Sequence, residues 1–407
     1  METRAIPGTG GDYRTVGAVL FLCLFAAQAG AIALSPVLVE VARDLDVSTA
    51  TAGQLRTIAG LVAGLTALSL GRLRARVGLG RQLLGGSVLL ALGSVLSAAA
   101  PSIGLLALAQ VPVGAGIGIL TTAGTLAAAE WASPERRPVV LSWALIGQPT
   151  AWIVGMPLLG VAGESSWRYA WLVFPLVAAL VAAAAVARRR GVPPAEKAPA
   201  RLRSALAAPE VGRWLTAEVL TNTAWAGTLV YAGALFVQSY RTSFAATGLL
   251  LSVAASAYVA GNVALRRLGD REPWPWLVGL ALVLAVTVAA FGALRSSLVA
   301  STALLGAAAF AAGGRTLVSS VFGLSLPPEY RSGATAMRSA TMQFGYFTGS
   351  LAAGAALALG GYPALGATMG VLFLAAALLL SGSHASRSDQ TREPRPFLTL
   401  AACAEPD

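Results

Sequence analysis

Four ionisable residues interrupt long apolar stretches of this sequence: Arg56, Glu218, Arg315 and Arg338. An ionised side chain at the centre of a membrane-spanning helix costs about 3 kcal/mol on insertion scales, so such residues are usually functional. A carboxylate in apolar surroundings can take up a proton, and a guanidinium can hold a carboxylate or phosphate through two parallel hydrogen bonds. These four residues are therefore the first candidates for ligand binding or proton coupling.

Glu218 is the candidate for proton transfer. Asn222 and Trp225 follow it at i+4 and i+7, so a carboxylate, an amide and an indole share one face of a helix. Burial raises the affinity of the carboxylate for a proton, which suits a group that takes up and releases one. The competing interpretation places Glu218 at the inner end of its helix, paired with an arginine such as Arg213.

The three arginines have competing structural interpretations as well. Arg56 is predicted about 22 Å along its helix from Gly71, where it either binds a ligand or extends to the membrane surface. Arg338 is expected toward the cytoplasmic end of its helix, where it either binds a ligand or faces the inner loop. Arg315 lies deeper, and we expect it to bind an anionic group or to neutralise Glu218 across the interface between two half-chains.

Further polar and aromatic residues fall within the apolar stretches and complete a candidate cavity. A pocket with apolar and aromatic walls and few polar anchors suits a mid-sized organic molecule. Aromatic residues near helix ends are also common as membrane-interface anchors, which is the alternative for some of them. The additional candidates are Gln28, Gln148, Trp152, Tyr258, Gln343 and Tyr346.

Composition excludes several classes of protein. Of 407 residues, 56% are hydrophobic and only 12% are charged, which indicates a polytopic membrane protein. Two cysteines and one histidine supply almost nothing for a metal centre, a disulfide framework or a histidine-based active site, so we predict no metal, no cofactor and no enzyme. The net charge of +11 comes from arginines in short loops, which indicates contact with a lipid bilayer and not with nucleic acid.

The apolar stretches predict an all-α integral membrane protein of about twelve transmembrane helices in two sets of six. The predicted organisation is a cytoplasmic N-terminal tail (1–14), an N-terminal half (15–187), a polar linker (188–210), a C-terminal half (211–382) and a cytoplasmic tail (383–407). Lys and Arg concentrate in the loops on one side, so we expect both termini in the cytoplasm and the chain in the cell membrane. We also expect a monomer.

The loop between the second and third predicted helices carries glycines and arginines at characteristic positions: Gly71, Arg76, Gly78 and Arg81. Together with Leu73, they resemble the G-x-L-x-D-R-x-G-R signature of the major facilitator superfamily. Ala75 stands in place of the usual Asp, and Leu79 and Gly80 stand where basic residues are expected. In that family the signature belongs to the gating machinery, and the fold has two six-helix halves with the substrate site between them. A second basic loop, 261–271, occupies the matching place in the second half.

Two stretches resemble the drug and sugar efflux group of that superfamily. Gly155 and Pro157 lie in a G-x-P-type fifth helix, where glycine permits close packing and proline bends the helix. Residues 46–54 resemble the segment that leads into the second helix in the same group. Gln110 stands in the fourth helix where proton-coupled members of the group carry an arginine.

The resemblance implies a secondary transporter that exports a small organic compound, such as a drug, a metabolite or a sugar-like molecule, in exchange for protons. No acidic residue lies deep in the first six helices, which favours neutral or anionic substrates. The first alternative is uptake of a small organic anion, with Arg56 and Arg315 as the attracting charges. The second is a non-transporting membrane sensor, which the residues Ala75 and Gln110 would suit.

Overall fold

The computed structural model describes residues 12–73, 77–133, 135–188, 209–268 and 272–387, and within these ranges the regular structure is helical throughout. Most of the predicted N-terminal tail, linker and C-terminal tail lies outside the described residues, and so does Arg76. Each membrane helix coincides with an apolar stretch, and several begin at a serine whose hydroxyl accepts a backbone N–H of the first turn. Ser102, Ser166, Ser243 and Ser297 are such caps.

The N-terminal half contains six membrane helices. They are α1 (Asp12–Ile32), α2 (Leu55–Leu73), α3 (Leu79–Ala99), α4 (Ile103–Glu130), α5 (Arg137–Ser165) and α6 (Trp167–Ala187). Two short helices, Leu38–Asp44 and Thr49–Gly53, lie between α1 and α2. The sequence predicts a first helix that continues to residue 38. That prediction is wrong, because α1 ends at Ile32 and Pro36 lies in a turn that leads into the first short helix.

The C-terminal half has the same number of helices. They are α7 (Pro209–Tyr240), α8 (Phe244–Ala264), α9 (Pro273–Ala293), α10 (Leu298–Ser325), α11 (328–359) and α12 (362–387). The last two form a continuous run that breaks at Gly360 and Gly361. Gly361 has φ +67°, a left-handed conformation that residues with a Cβ rarely adopt, so the chain turns back there without a loop.

The helices account for the predicted membrane topology. Ten stretches of the described residues are long and apolar enough to cross a bilayer, and the last of them, Ala340–Ser381, contains both α11 and α12. The 32-residue helix α7 is not among these ten stretches. Its mean hydropathy is lower because it carries Glu218, Asn222 and several threonines. With α7 counted, the chain has the twelve helices in two halves that the sequence predicts, which confirms the fold class.

The two halves meet mainly on one side of the membrane. We call the side that residue 188 and Pro209 face the linker side, and the opposite side the distal side. Two helix pairs, α5 with α8 and α2 with α11, form most of the interface. Hydrogen bonds join described residues of the two halves in the distal half: Gln54 to the Ser350 carbonyl, Tyr231 to the Ala50 carbonyl, Gln238 to Thr49, the Ala245 N–H to Glu164, and Ser252 to the Ile153 carbonyl.

Glycines allow α5 and α8 to approach backbone to backbone. The Cα of Gly160 packs against the carbonyl of Phe244, and that of Gly248 packs against the carbonyl of Met156 beside Pro157. Gly155, by contrast, packs within its own half, against the ring of Phe174. The G-x-P-type segment of α5 is therefore part of the surface that closes the distal side.

A Gly248→Ala substitution should weaken distal closure. The added Cβ would overlap the backbone carbonyl of Met156, which cannot move aside as a flexible side chain does, at a cost of roughly 1–3 kcal/mol. We expect longer distances between spin labels on the distal ends of α5 and α8, measured by pulsed electron paramagnetic resonance. Gly306→Ala is the matched control, because a Cβ at Gly306 meets nothing within 4 Å. Equal distances in both variants would contradict this account.

A second distal contact joins three segments of the N-terminal half. Asp44 accepts hydrogen bonds from the indole of Trp167 (2.9 Å) and from Arg168 (2.6 Å). Arg168 also donates to the carbonyl of Ala100, at the end of α3 (3.1 Å). The Trp167 hydrogen bond, followed by that of Arg168, lowers the pKa of the Asp44 carboxyl group below its ordinary value. The ionised form of Asp44 is therefore the form that stabilises this corner.

The contribution of Asp44 should depend on pH in a defined direction. Because its pKa is lowered in the folded protein, the stabilisation is complete above the unfolded value of about 4 and is lost as the pH falls below it. We expect Asp44→Asn to lower the free energy of unfolding at pH 7 by no more than about 1 kcal/mol, as for a partly exposed pair, and this difference from the wild type should shrink as the pH falls below about 4. Asp46→Asn is the control, since Asp46 has no ion pair with a described residue. A constant difference across the pH range would contradict the assignment.

Candidate functional site

The structure brings three of the four intramembrane ionisable residues together. Glu218 on α7 accepts a hydrogen bond from Arg315 Nη1 on α10 at 2.7 Å and one from Arg338 Nε on α11 at 3.0 Å. Glu218 and Arg315 are almost completely buried, with 2% and 3% of their surfaces exposed. One carboxylate therefore links three helices through charge-assisted hydrogen bonds, which are stronger than neutral ones.

The cluster lies inside the helix bundle, toward its linker side. Glu218 is nine residues into α7, Arg338 is ten residues beyond Pro328, and Arg315 is ten residues before the end of α10. At 1.5 Å per residue these positions are about 14–15 Å from the linker-side ends of helices that are about 42–48 Å long. The cluster therefore lies about a third of the way along these helices.

Three sequence-based interpretations need correction. Arg315 neutralises Glu218 within the C-terminal half and not across the interface, because α7, α10 and α11 pack together in that half. Arg338 faces Glu218 and not the inner loop, since α11 begins at Pro328 and places it ten residues deep. The alternative pairing of Glu218 with Arg213 is also wrong, because Arg315 and Arg338 occupy both carboxylate oxygens.

Neighbouring groups fix the orientation of Arg338. Its Nε also donates to Ser319 Oγ (3.2 Å), and its Nη2 donates to the Thr316 carbonyl (3.1 Å). Ser319 Oγ accepts a further hydrogen bond from the indole of Trp214 (2.9 Å). We did not predict Trp214 as part of the site, although it precedes Glu218 by four residues and so lies on the same helix face.

The other candidates on α7 and α8 lie beside the cluster. Asn222 donates to the hydroxyl of Thr341 on α11 at 2.9 Å. The rings of Trp225 and Tyr258 are nearly parallel, with centroids 6.5 Å apart. Tyr258 contacts the Thr316 side chain and is close enough to Arg338 and Glu218 to interact with them electrostatically. The α7 face predicted from spacing therefore does converge on one place.

Arg56 lies in the N-terminal half and faces the C-terminal half. Its guanidinium carbon is 4.4 Å from the ring centroid of Tyr346 on α11, which is a cation–π contact. Gln28 on α1 interacts with the hydroxyl of the same tyrosine. Only 3% of Arg56 is exposed, so the alternative in which it extends to the membrane surface is wrong. The α2–α11 contact thus carries a buried positive charge between the halves.

Four predicted cavity residues are not joined to this cluster by a hydrogen bond among the described residues. Gln110 is fully buried on α4, where it donates to Ser97 on α3 and to the Leu106 carbonyl, so its hydrogen bonds stay within one half. Gln343 is buried on α11, while Gln148 and Trp152 are half-buried on α5. Only Gln343 shares a helix with the cluster.

The predicted gating loop is described in part. Gly71 lies in the last turn of α2, and Gly78 is the N-cap of α3. A Cβ at Gly78 would meet nothing within 4 Å, so no close neighbour among the described residues requires this glycine. Arg81 is exposed at the start of α3. Its position at the linker-side end of the helix agrees with a basic loop at the membrane surface.

The electrostatic balance of the buried groups is positive. Among the fully buried residues that the structure describes, Glu218 is the one carboxylate, against the guanidinium groups of Arg56 and Arg315. Arg338, which is mostly buried, adds a third positive charge. Within the described ranges no three His, Cys, Asp or Glu side chains come together to hold a metal ion. The arrangement can bind a proton or an anion.

Comparison with known proteins identifies the fold and the family. The family model described as Major Facilitator Superfamily matches residues 20–306 and 214–402. A bacterial homologue of the human lysosomal transporter Spinster, in an inward-facing conformation, superposes with a TM-score of 0.73 at 16% identity over 93% of this chain and 96% of that one.

Two further solved structures have the same fold. A D-xylose–proton symporter gives a TM-score of 0.74 at 16% identity, over 91% of this chain and 97% of its own. The nucleoside transporter NupG gives 0.71 at 13% identity, over 92% and 99%. Comparison of the sequence with curated proteins gave no match.

Removal of the Ser319 hydroxyl should destabilise the cluster. Ser319→Ala leaves the buried indole N–H of Trp214 without an acceptor and removes one acceptor of Arg338, at about 1–3 kcal/mol for a buried donor left unsatisfied. We expect a lower melting temperature in detergent. Ser320→Ala is the control on the same helix, because the Ser320 hydroxyl only donates to the Thr316 carbonyl one turn earlier. Equal melting temperatures for the two variants would show that Ser319 does not hold the cluster.

Proposed function

Because the chain belongs to the Major Facilitator Superfamily and is therefore a membrane transporter of small molecules, we propose that it is a secondary active carrier whose driving proton binds Glu218. The substrate, a small organic compound, binds between the two halves beside the Glu218, Arg315 and Arg338 cluster. Transport follows alternating access, in which the halves rock about a site near the membrane midplane. The site is complete within one chain, so the carrier acts as a monomer.

The observation that carries this proposal is the buried carboxylate held by two arginines inside the helix bundle. As a carboxylate, Glu218 ties α7 to both α10 and α11. A proton on one of its oxygens removes the negative charge and the acceptor for one guanidinium, so the link between three helices weakens. Proton binding is thereby converted into a change in helix packing.

The contacts between the halves support a state closed on the distal side. The inter-half hydrogen bonds of Gln54, Tyr231, Gln238, Ala245 and Ser252 lie there, which supports access from the linker side in this state. We assign the linker side to the cytoplasm and the chain to the cell membrane, because Lys and Arg concentrate in the loops and tails of that side. The state is then inward-facing.

Two directions of transport are proposed, each from its own observation. Export in exchange for protons is favoured by the G-x-P-type segment of α5, which resembles the efflux group and packs against α8 through Gly160. Uptake of an organic anion together with a proton is favoured by the excess of buried positive charge, which Arg56 and Arg315 contribute. In exchange the proton and substrate compete for the site, whereas in cotransport they bind together.

Proton flux in proteoliposomes tests the proposal and separates the directions. We expect a transported compound to drive proton movement through the wild type and not through Glu218→Gln, which keeps the size of the side chain but cannot take up a proton. Glu135→Gln, a change in an exposed loop, is the control and should behave as the wild type. Weaker substrate binding at lower pH supports exchange, and stronger binding supports cotransport.

Three outcomes would contradict parts of this proposal. Proton flux that survives in Glu218→Gln would show that another group couples. Transport without any proton flux would show a uniporter or substrate exchanger. Binding of compounds without transport under any gradient would favour the non-transporting sensor. The melting temperature of Glu218→Gln is measured alongside, so that loss of flux is not mistaken for loss of folding.

A further inference from the structure

One edge of the Arg315 guanidinium has no hydrogen-bonding partner. Arg315 uses Nη1 to bind Glu218, while its Nε and Nη2 are buried and unpartnered among the described residues. In a guanidinium group, the Nε–H and one Nη2–H point in the same direction and are spaced to meet the two oxygens of a carboxylate. The unpartnered atoms are therefore the pair that forms a bidentate contact.

The two unpartnered N–H donors of the buried Arg315 side chain need a physical explanation. Burying a polar N–H without an acceptor costs free energy, and the cost is greater for a charged group. Arg338, in contrast, has three acceptors for its Nε and Nη2 atoms: Glu218, Ser319 and the Thr316 carbonyl. The two arginines of the cluster thus differ, because one is fixed in place by protein groups and the other keeps a free binding edge.

A second buried arginine shows the same property from the other half. Arg56 Nε and Nη1 are buried and lack partners, and its flat face rests on Tyr346. Both halves therefore contribute a cation with unused donors, and a single buried carboxylate offsets the positive charge. A negatively charged ligand between the halves would supply both the missing acceptors and the missing charge.

We propose that the substrate is a small organic acid whose carboxylate binds Arg315 through its Nε and Nη2 edge. This inference rests on the proposed transport function for its biological meaning, but not on the direction of transport. The stacked rings of Trp225 and Tyr258 lie beside this part of α10, since Tyr258 contacts Thr316, and they provide a flat surface for the apolar body of the acid. Arg56 contributes attraction from the opposite half.

Binding of matched acids and amides to the full-length protein tests the inference. The probes are benzoate with benzamide and cyclohexanecarboxylate with cyclohexanecarboxamide, and the readout is quenching of tryptophan fluorescence in detergent. We expect the wild type to bind at least one acid about tenfold or more tightly than its amide, because only the carboxylate satisfies the edge. Inorganic phosphate and chloride, added as competitors, show whether the site instead takes any small anion.

Substitution of Arg315 by lysine separates charge from geometry. Arg315→Lys keeps the positive charge next to Glu218 but loses the two-donor edge, so the preference for acid over amide should fall about tenfold. Arg168→Lys, in the distal contact, is the matched control and should leave the preference unchanged. Glu218→Gln should tighten acid binding, because it removes the carboxylate that competes for Arg315.

The results separate failure of this inference from failure of the transport function. Equal binding of acids and amides, no binding of either, or an Arg315→Lys variant with wild-type preference would overturn the inference. Displacement of the acids by chloride or phosphate at equal concentration would also overturn it, since the site would then be a general anion site. If the protein transports neutral compounds with a proton flux that depends on Glu218, the proposed function stands and the inference about organic acids fails. Acid binding without transport would leave the inference standing and reject the function.

Discussion

The burial of one carboxylate between two arginines is the constraint on which the C-terminal half depends. Moving separate charges into the hydrocarbon core costs several kcal/mol for each ion, and only close pairing with further hydrogen bonds offsets that cost. Glu218, Arg315 and Arg338 therefore require α7, α10 and α11 to meet at one depth. On the Arg338 side of the cluster, Ser319 accepts hydrogen bonds from Arg338 and from the buried indole of Trp214.

The same constraint explains why α7 is the least typical membrane helix. Its mean hydropathy is too low for a membrane span by composition, yet most of its residues from Val211 to Phe236 are buried by protein. A helix that is surrounded by other helices does not need an apolar exterior, because its polar groups find partners inside the bundle. The low hydropathy of α7 is therefore a consequence of its central place beside the site.

Much of the fold could be predicted from the sequence, because each helix that crosses a membrane needs a long apolar stretch. Serine, glycine or charged residues stand at the ends of these stretches. The break between α11 and α12, for example, falls at two consecutive glycines, Gly360 and Gly361, shortly before Pro363. The pairing of Glu218 with Arg338 could not be predicted, since helix spacing gives the face and depth of a residue but not the helix that packs against it. Gln110 shows the same limit, because its position in the motif does not reveal that its amide donates to Ser97 on the neighbouring helix.

On the proposed function, the two halves contribute charge in different ways. Arg56 of the N-terminal half stays protonated under all physiological conditions, whereas Glu218 can change its charge. With Glu218 ionised, the net charge of the buried groups is about +2, from Arg56, Arg315, Arg338 and Glu218. A proton on Glu218 raises this net charge to about +3. Uncompensated charge inside the membrane is costly. A monovalent organic anion that enters with the proton returns the net charge to its starting value. The electrostatics therefore favour a cycle in which proton and anion occupy the site together, and a substrate without charge would have to offset the extra positive charge by opening the site to water.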